Sequence, residues 1–194
     1  MKRKLIVVYE DSKEGCAQFI GQLISDMDDG TEATIWNEKE YRSHQPQLST
    51  SNSTLFVGDG SQCRKARECI RPKFDRCGIQ YGWLGTTAFI LVDHAVAENE
   101  LDEFKGLCLR ADQEPKEEIG RLLALPASGW ETPSKEPSGL AKVVKDGVIA
   151  LRAFADHGAM RLGAAVKQRE IVDFQYSVAA VLFCRNGLNA FLGE

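Results

Sequence analysis

Gly78-Ile-Gln-Tyr-Gly-Trp-Leu-Gly-Thr-Thr-Ala-Phe-Ile-Leu-Val-Asp93 is the segment on which the fold turns. Ile79, Tyr81 and Trp83 alternate with Gln80, Gly82 and Leu84, a period of two, and Tyr and Trp favour strands. Gly85-Thr-Thr87 then turns the chain into a second apolar strand over 88–93, giving an antiparallel hairpin. In the competing reading 78–85 is a loop and only the stretch from Ala88 onward is a strand. The choice decides whether the sheet is parallel throughout or mixed. In a purely parallel sheet a loop that precedes its strand lies at the edge opposite the usual ligand mouth. Both readings make the glycines structural, and Gly82 leaves a gap where a ring or another backbone can approach. Tyr81 and Trp83 are therefore candidate stacking residues for a planar ligand or a partner, set against a plain scaffold role.

Upstream of this segment, strand and helix signals alternate. Lys4-Leu-Ile-Val-Val-Tyr9 is continuous and apolar, as in a strand buried on both faces. A helix is expected over about 13–27, with Asp11 or Ser12 as its cap and Cys16, Phe19, Ile20, Leu23 and Ile24 as one apolar stripe. A second strand follows over 32–36, and 37–50, polar and containing Pro46, reads as irregular. Ser53-Thr-Leu-Phe-Val57 is a third strand, closed by Gly58-Asp-Gly60, and Ser61 opens a short helix as its N-cap. A further helix is expected over 98–109. Strands separated by helices point to a three-layer α/β domain over about 1–115 with a mostly parallel, flavodoxin-like sheet.

The remainder, 116–194, reads as a helical region packed on that domain. The Pro-rich linker 126–138 precedes an apolar stripe over 140–155, and a last helix is expected over 165–184, ended by Asn186-Gly187. Leu188, Phe191 and Leu192 would fold back as a short cap. So much apolar area must be buried on the chain's own sheet or in a homo-oligomer through the C-terminal helices.

Composition bounds the function. Of 194 residues, 43% are hydrophobic and 27% charged, which suffices for a core without metal or disulfide help. The net charge of −4 argues against broad nucleic-acid binding, which needs a basic surface. No apolar run approaches the roughly 18–20 residues of a membrane span. The six cysteines form no CxxC pair and the three histidines are scattered, so no metal is expected. Behind the basic Met1-Lys-Arg-Lys4 the apolar run is only Leu5 to Val8, shorter than the about 7–15 residues of a secretory core. The expected setting is a reducing cytoplasm.

Four places carry candidate chemistry. The loop after the first strand, Glu10-Asp-Ser-Lys-Glu-Gly15, is acidic and lacks every phosphate-binding fingerprint, so no nucleotide cofactor is expected. The loop Gly58, Asp59, Gly60, Ser61 permits close backbone approach and offers polar contacts; a tight turn explains the same letters. The run from Arg64 to Arg76 holds six basic residues, a solvated face or a patch for anions. Cys63 and Cys69 lie beside these charges, which can lower a thiol pKa, but with no positioned histidine a structural or incidental cysteine is expected over a nucleophile.

Over about seventy residues the pattern resembles a TIR-type domain, the flavodoxin-like module of signalling and NAD cleavage. The similarity lies in "LIVVYEDSKE" entering a helix, "ATIWNE", "LFVGDG" and then "SQCRKARE". A catalytic glutamate on the helix after the third strand is what the resemblance implies, and Glu68 is the residue that fits. Two functions follow from the sequence. One is a binding or interaction module for a small molecule or a protein. The other is a TIR-like or nucleoside-processing enzyme acting on NAD or a nucleotide-like ligand through Glu68.

Overall fold

The computed structural model describes residues 3–28, 30–48, 52–113 and 168–193. The linker 126–138 and the stripe over 140–155 lie outside the described residues. Six strands form one sheet: β1 (Arg3–Tyr9), β2 (Thr31–Asn37), β3 (Ser53–Val57), β4 (Phe74–Arg76), β5 (Ile79–Leu84) and β6 (Thr87–Val92). Their order is β2-β1-β3-β6-β5-β4. β2, β1, β3 and β6 run parallel, and β5 and β4 are added antiparallel.

The opening segment is a hairpin. Leu84 pairs with Thr87, so Gly85 and Thr86 alone make the turn. Gly85 has φ 55°, the positive value that a II′ turn demands at its first central position. A second two-residue turn joins β4 to β5 through Cys77 (φ 51°) and Gly78 (φ 68°), both in the left-handed region as a I′ turn requires. The loop-plus-strand alternative is thereby excluded, and β4, hidden in the basic run, is an element the sequence reading lacked.

Among the described residues five α-helices cover the sheet: α1 (Glu14–Met27), α2 (Glu38–His44), α3 (Ser61–Cys69), α4 (Leu101–Gln113) and α5 (Gln168–Leu192). β1 shows why both faces need cover, because Leu5 and Val7 enter one core while Ile6 and Val8 enter another. Against the first face pack Phe19, Ile20, Leu23 and Ile24 of α1, Phe104 and Leu107 of α4, and most of α5. Against the second pack Tyr41 of α2 and Cys63 and Ala66 of α3, with Phe56, Phe89 and Leu91 beneath. The arrangement is three-layered.

Four local expectations are corrected. The irregular 37–50 contains α2, started by a capping box in which the Asn37 side chain accepts from the Glu40 N–H (2.9 Å) and the Glu40 carboxylate accepts from the Asn37 N–H (3.0 Å). Neither Asp11 nor Ser12 caps α1; a 3-10 turn over Asp11–Lys13 leads into it, closed by the Lys13 N–H donating to Glu10 O. Gly60, not Ser61, is the N-cap of α3. The helix does not end at Asn186-Gly187. α5 continues to Leu192, burying Leu188 and Phe191, and the bare Cα of Gly187 receives the indole of Trp83.

α5 is buried nearly all round its middle, from Val178 to Cys184. A helix that is apolar on every side belongs in a core. Phe183 meets Tyr81, Trp83 and Phe191 at ring centroid separations of 5.8, 6.0 and 5.8 Å. Polar ties orient the same helix. The Val92 N–H donates to Tyr176 Oη (3.2 Å), and the Gln175 amide donates to the carbonyls of Cys77 (3.0 Å) and His94 (3.1 Å). No helix among the described residues is long and apolar enough to cross a membrane.

Candidate functional site: a polar cleft at the carboxyl edge

β1, β3 and β6 end side by side, with Tyr9 paired to Val57 and Val57 to Ile90. Strand order reverses between β1 and β3, so the crevice outside these ends is the topological switch point, where open α/β sheets bind ligands. The loops after β1 and β3 both open onto it.

The loop Gly58-Asp59-Gly60-Ser61 is clamped from two sides. On one, the Gly58 N–H donates to Ile90 O (3.1 Å), and φ of 109° makes glycine the natural residue there. The side chains of Glu10 and Lys13 fill the space where a Cβ of Gly58 would stand. On the other side stands Glu38, the first residue of α2. Its Oε1 accepts from the Gln62 N–H (2.9 Å), and its Oε2 accepts from the Ser61 hydroxyl (2.9 Å). Arg42, one helical turn on, donates to Glu38 Oε2 (3.3 Å) and to Ser61 Oγ (2.6 Å). A Cβ on Gly60 would collide with this carboxylate. The N-terminus of α3, the place for an anion after such a loop, is thus taken by the chain's own Glu38.

Beside the loop lies an open cleft of about 530 Å³ lined by Asp59, Arg64, Arg67, Glu68 and Asp93. Every lining residue is charged. Asp59 and Arg64 form a bidentate pair, with Nε to Oδ1 at 2.9 Å and Nη2 to Oδ2 at 2.7 Å, and Nε also donates to Asp59 O (3.0 Å). Arg67 reaches Asp93 at 3.7 Å. Glu68 is exposed and has no ion pair or hydrogen bond among the described residues. The three acids and two bases leave the cleft net negative.

Asp59 and Glu68 therefore share one cleft, with Gly58, Gly60 and Ser61 in the loop that forms its wall. Tyr81 and Trp83 are not part of it. Tyr81 is 2% exposed, stacked on Phe74 at 5.0 Å and accepting from Asn186 Nδ2 (3.1 Å). Trp83 is half-buried between Phe183, Gly187 and Lys73, toward the amino edge where β5 meets the start of β6. The basic run is largely self-satisfied: Arg64 and Arg67 pair as above, Arg76 reaches Glu103 at 3.6 Å, and Lys73 lies over Trp83.

Of its two readings Cys63 takes the structural one. Burial pushes its thiol up, far above the ordinary range, and the carboxylates of Asp59, Glu10 and Glu38 add to this. Arg67 opposes them and is outweighed, so Cys63 is a buried neutral thiol and not an activated one. All six cysteines are free, and Cys69 is the exposed one.

Two features of the carboxyl edge were invisible in the sequence reading. Glu38 and Arg42 lie in the stretch read as irregular, although the Asn37-x-x-Glu40 capping box marks a helix start there. Lys13, 9% exposed, pairs with Asp173 of α5 (3.0 Å), 160 residues away, which no local pattern reveals. Among the described residues no group of His, Cys, Asp and Glu could hold a metal ion. No protein-family profile matches the chain, and no curated protein or solved structure matches it either.

Proposed function

We propose that the chain is a recognition module that binds a small polar molecule or a protein partner at the carboxyl-edge cleft. The observation that carries this reading is an open cleft between the carboxyl ends of β3 and β6, next to the switch-point loop, whose lining side chains are all charged and in which Glu68 alone has no partner among the described residues. A lining of charged side chains suits a charged, hydrated ligand over an apolar one. A net negative cleft, with its anion cradle filled from within, favours a cationic group over a phosphate. A flavodoxin-like arrangement, supported by the β2-β1-β3 half of the sheet, and a cytoplasmic setting go with the proposal; so does self-association through the C-terminal helices. Calorimetry with agmatine, a small cation, and ADP-ribose, a phosphate-bearing ligand, tests it. Agmatine is expected to bind the more tightly, and Glu68→Gln to weaken it about tenfold, as loss of one charged hydrogen bond does. Tighter binding of ADP-ribose, or equal binding of agmatine by Glu68→Gln, counts against the proposal.

A second reading, a TIR-like or nucleoside-processing enzyme acting on NAD, is favoured by the same free carboxylate. In this reading Glu68 would stabilise the ribosyl cation as the bond to nicotinamide breaks, and water would then take the ribosyl carbon. Incubation with NAD followed by chromatography should yield nicotinamide with wild type and none with Glu68→Gln. No nicotinamide from concentrated wild-type protein removes this reading.

A further inference from the structure

We infer that Glu38, which lines no part of the cleft, is the residue that sets how the cleft's charges are arranged: it positions Asp59, and Asp59 keeps the Arg64 guanidinium engaged in a three-point contact. This rests on the cleft being the recognition site, and it adds how that site is kept selective for cations. The argument follows the chain of contacts. The capping box of Asn37 and Glu40 fixes the first turn of α2, and Glu38 is carried by that turn. Its two carboxylate oxygens hold the Ser61 hydroxyl and the Gln62 N–H, across more than twenty residues of sequence. Arg42 bridges Glu38 and Ser61, so the clasp is cross-braced. Gly58 is held independently by Ile90 O and by Glu10 and Lys13.

Asp59 is therefore the apex of a loop pinned at both feet. Its backbone carbonyl and both carboxylate oxygens converge on one guanidinium, that of Arg64. A three-point contact of this kind needs the backbone and the side chain of Asp59 fixed together; an unpinned loop would offer the side chain alone. Arg64 is exposed, and an exposed ion pair without such preorganisation is weak. With the clasp in place, Arg64 is spent on Asp59 and Glu68 faces the ligand as an unopposed carboxylate. With the clasp open, Arg64 and Asp59 are released together: the net charge is unchanged, but the guanidinium becomes free to meet Glu68 and compete with a cationic ligand. Glu38 is thus a positioning residue whose effect is on charge selectivity.

The test reads Arg64 directly and needs no ligand, so it stands or falls separately from the binding experiments. In the NMR spectrum of the full chain the Arg64 Nε–H signal, identified by its loss in Arg64→Lys, is followed for exchange with water. Glu38→Ala should speed that exchange about tenfold, the worth of one such hydrogen bond, while the amide signals of β1, β3 and β6 stay in place. Glu38→Gln, which keeps the length and an acceptor for the Gln62 N–H, should restore exchange to near the wild-type rate. If Glu38→Ala proves unfolded, Ser61→Ala, which removes one donor of the clasp, must show the faster exchange instead. Unchanged exchange in the folded variant overturns the inference. So does a Glu38→Gln protein as fast as Glu38→Ala, because the effect would then be charge and not position.

Discussion

Gly187 is where packing and propensity pull in opposite directions. Alanine there would gain about 1 kcal/mol of helix propensity. It would also set a methyl 2.7 Å from Trp83 Cη2, and overpacking of this kind costs about 1–3 kcal/mol. Gly187→Ala is therefore expected to lower the urea midpoint, and the same change in a Trp83→Leu background to raise it. A rise in both backgrounds would mean that the indole does not rest on this helix. Asp28 shows a different balance. The Thr31 hydroxyl (2.5 Å) foremost, then the Gly30 N–H (3.0 Å) and Arg3 at 3.7 Å, hold its carboxyl below the usual carboxylate range against the opposing effect of burial. A depressed folded pKa contributes stability above the unfolded-state value, and that stability is lost as pH falls through the folded value. Asp28→Ala should cost about 1 kcal/mol at neutral pH, a cost that shrinks as pH falls below the unfolded-state value and through the depressed folded one. A pH-independent difference would assign the cost to the turn backbone.

Elements were legible in proportion to how far their signal is local. β1, β3 and α1 announce themselves by continuous or periodic apolar residues; the alternation around Gly82 offers the hairpin, but beside a loop-plus-strand alternative that only the pairing of β5 with β6 removes. α2 was hidden because only Tyr41 of its seven residues is buried, so it has no apolar stripe to read. β4 was hidden because it is three residues long and sits among basic ones. The end of α5 was misread because Asn-Gly is a local stop signal, overridden here by tertiary contacts: Asn186 donates to Tyr81 Oη and Gly187 receives Trp83. Phe183, fully buried at the meeting of β5 with α5, carries the largest expected effect at this scale. Phe183→Ala should cost about 3–5 kcal/mol, read as a lowered midpoint in chemical denaturation with the slope unchanged. A cost below about 1 kcal/mol, the level of a surface change, would mean that α5 is not part of the core.

At the scale of the whole molecule, the sheet's mixed topology separates two places that the sequence offered equally. The aromatic pair Tyr81 and Trp83 is absorbed by the β5–α5 interface, while the Gly58–Ser61 loop opens at the switch point. The loop could be read from its glycines and polar residues, and Glu68 from the TIR resemblance. Their companions could not, since Glu38 and Arg42 reach the edge from α2 and Asp93 from the end of β6, and only the strand order brings these together with the loop. The claim that recognition occurs at this edge is tested most directly by amide NMR of the wild-type chain titrated with agmatine. The largest shifts are predicted at Asp59, Arg64, Arg67, Glu68 and Asp93, and they should fade in Glu68→Gln. Shifts centred instead on Tyr81 and Trp83 at the β5–α5 interface, or unaltered by Glu68→Gln, would contradict it.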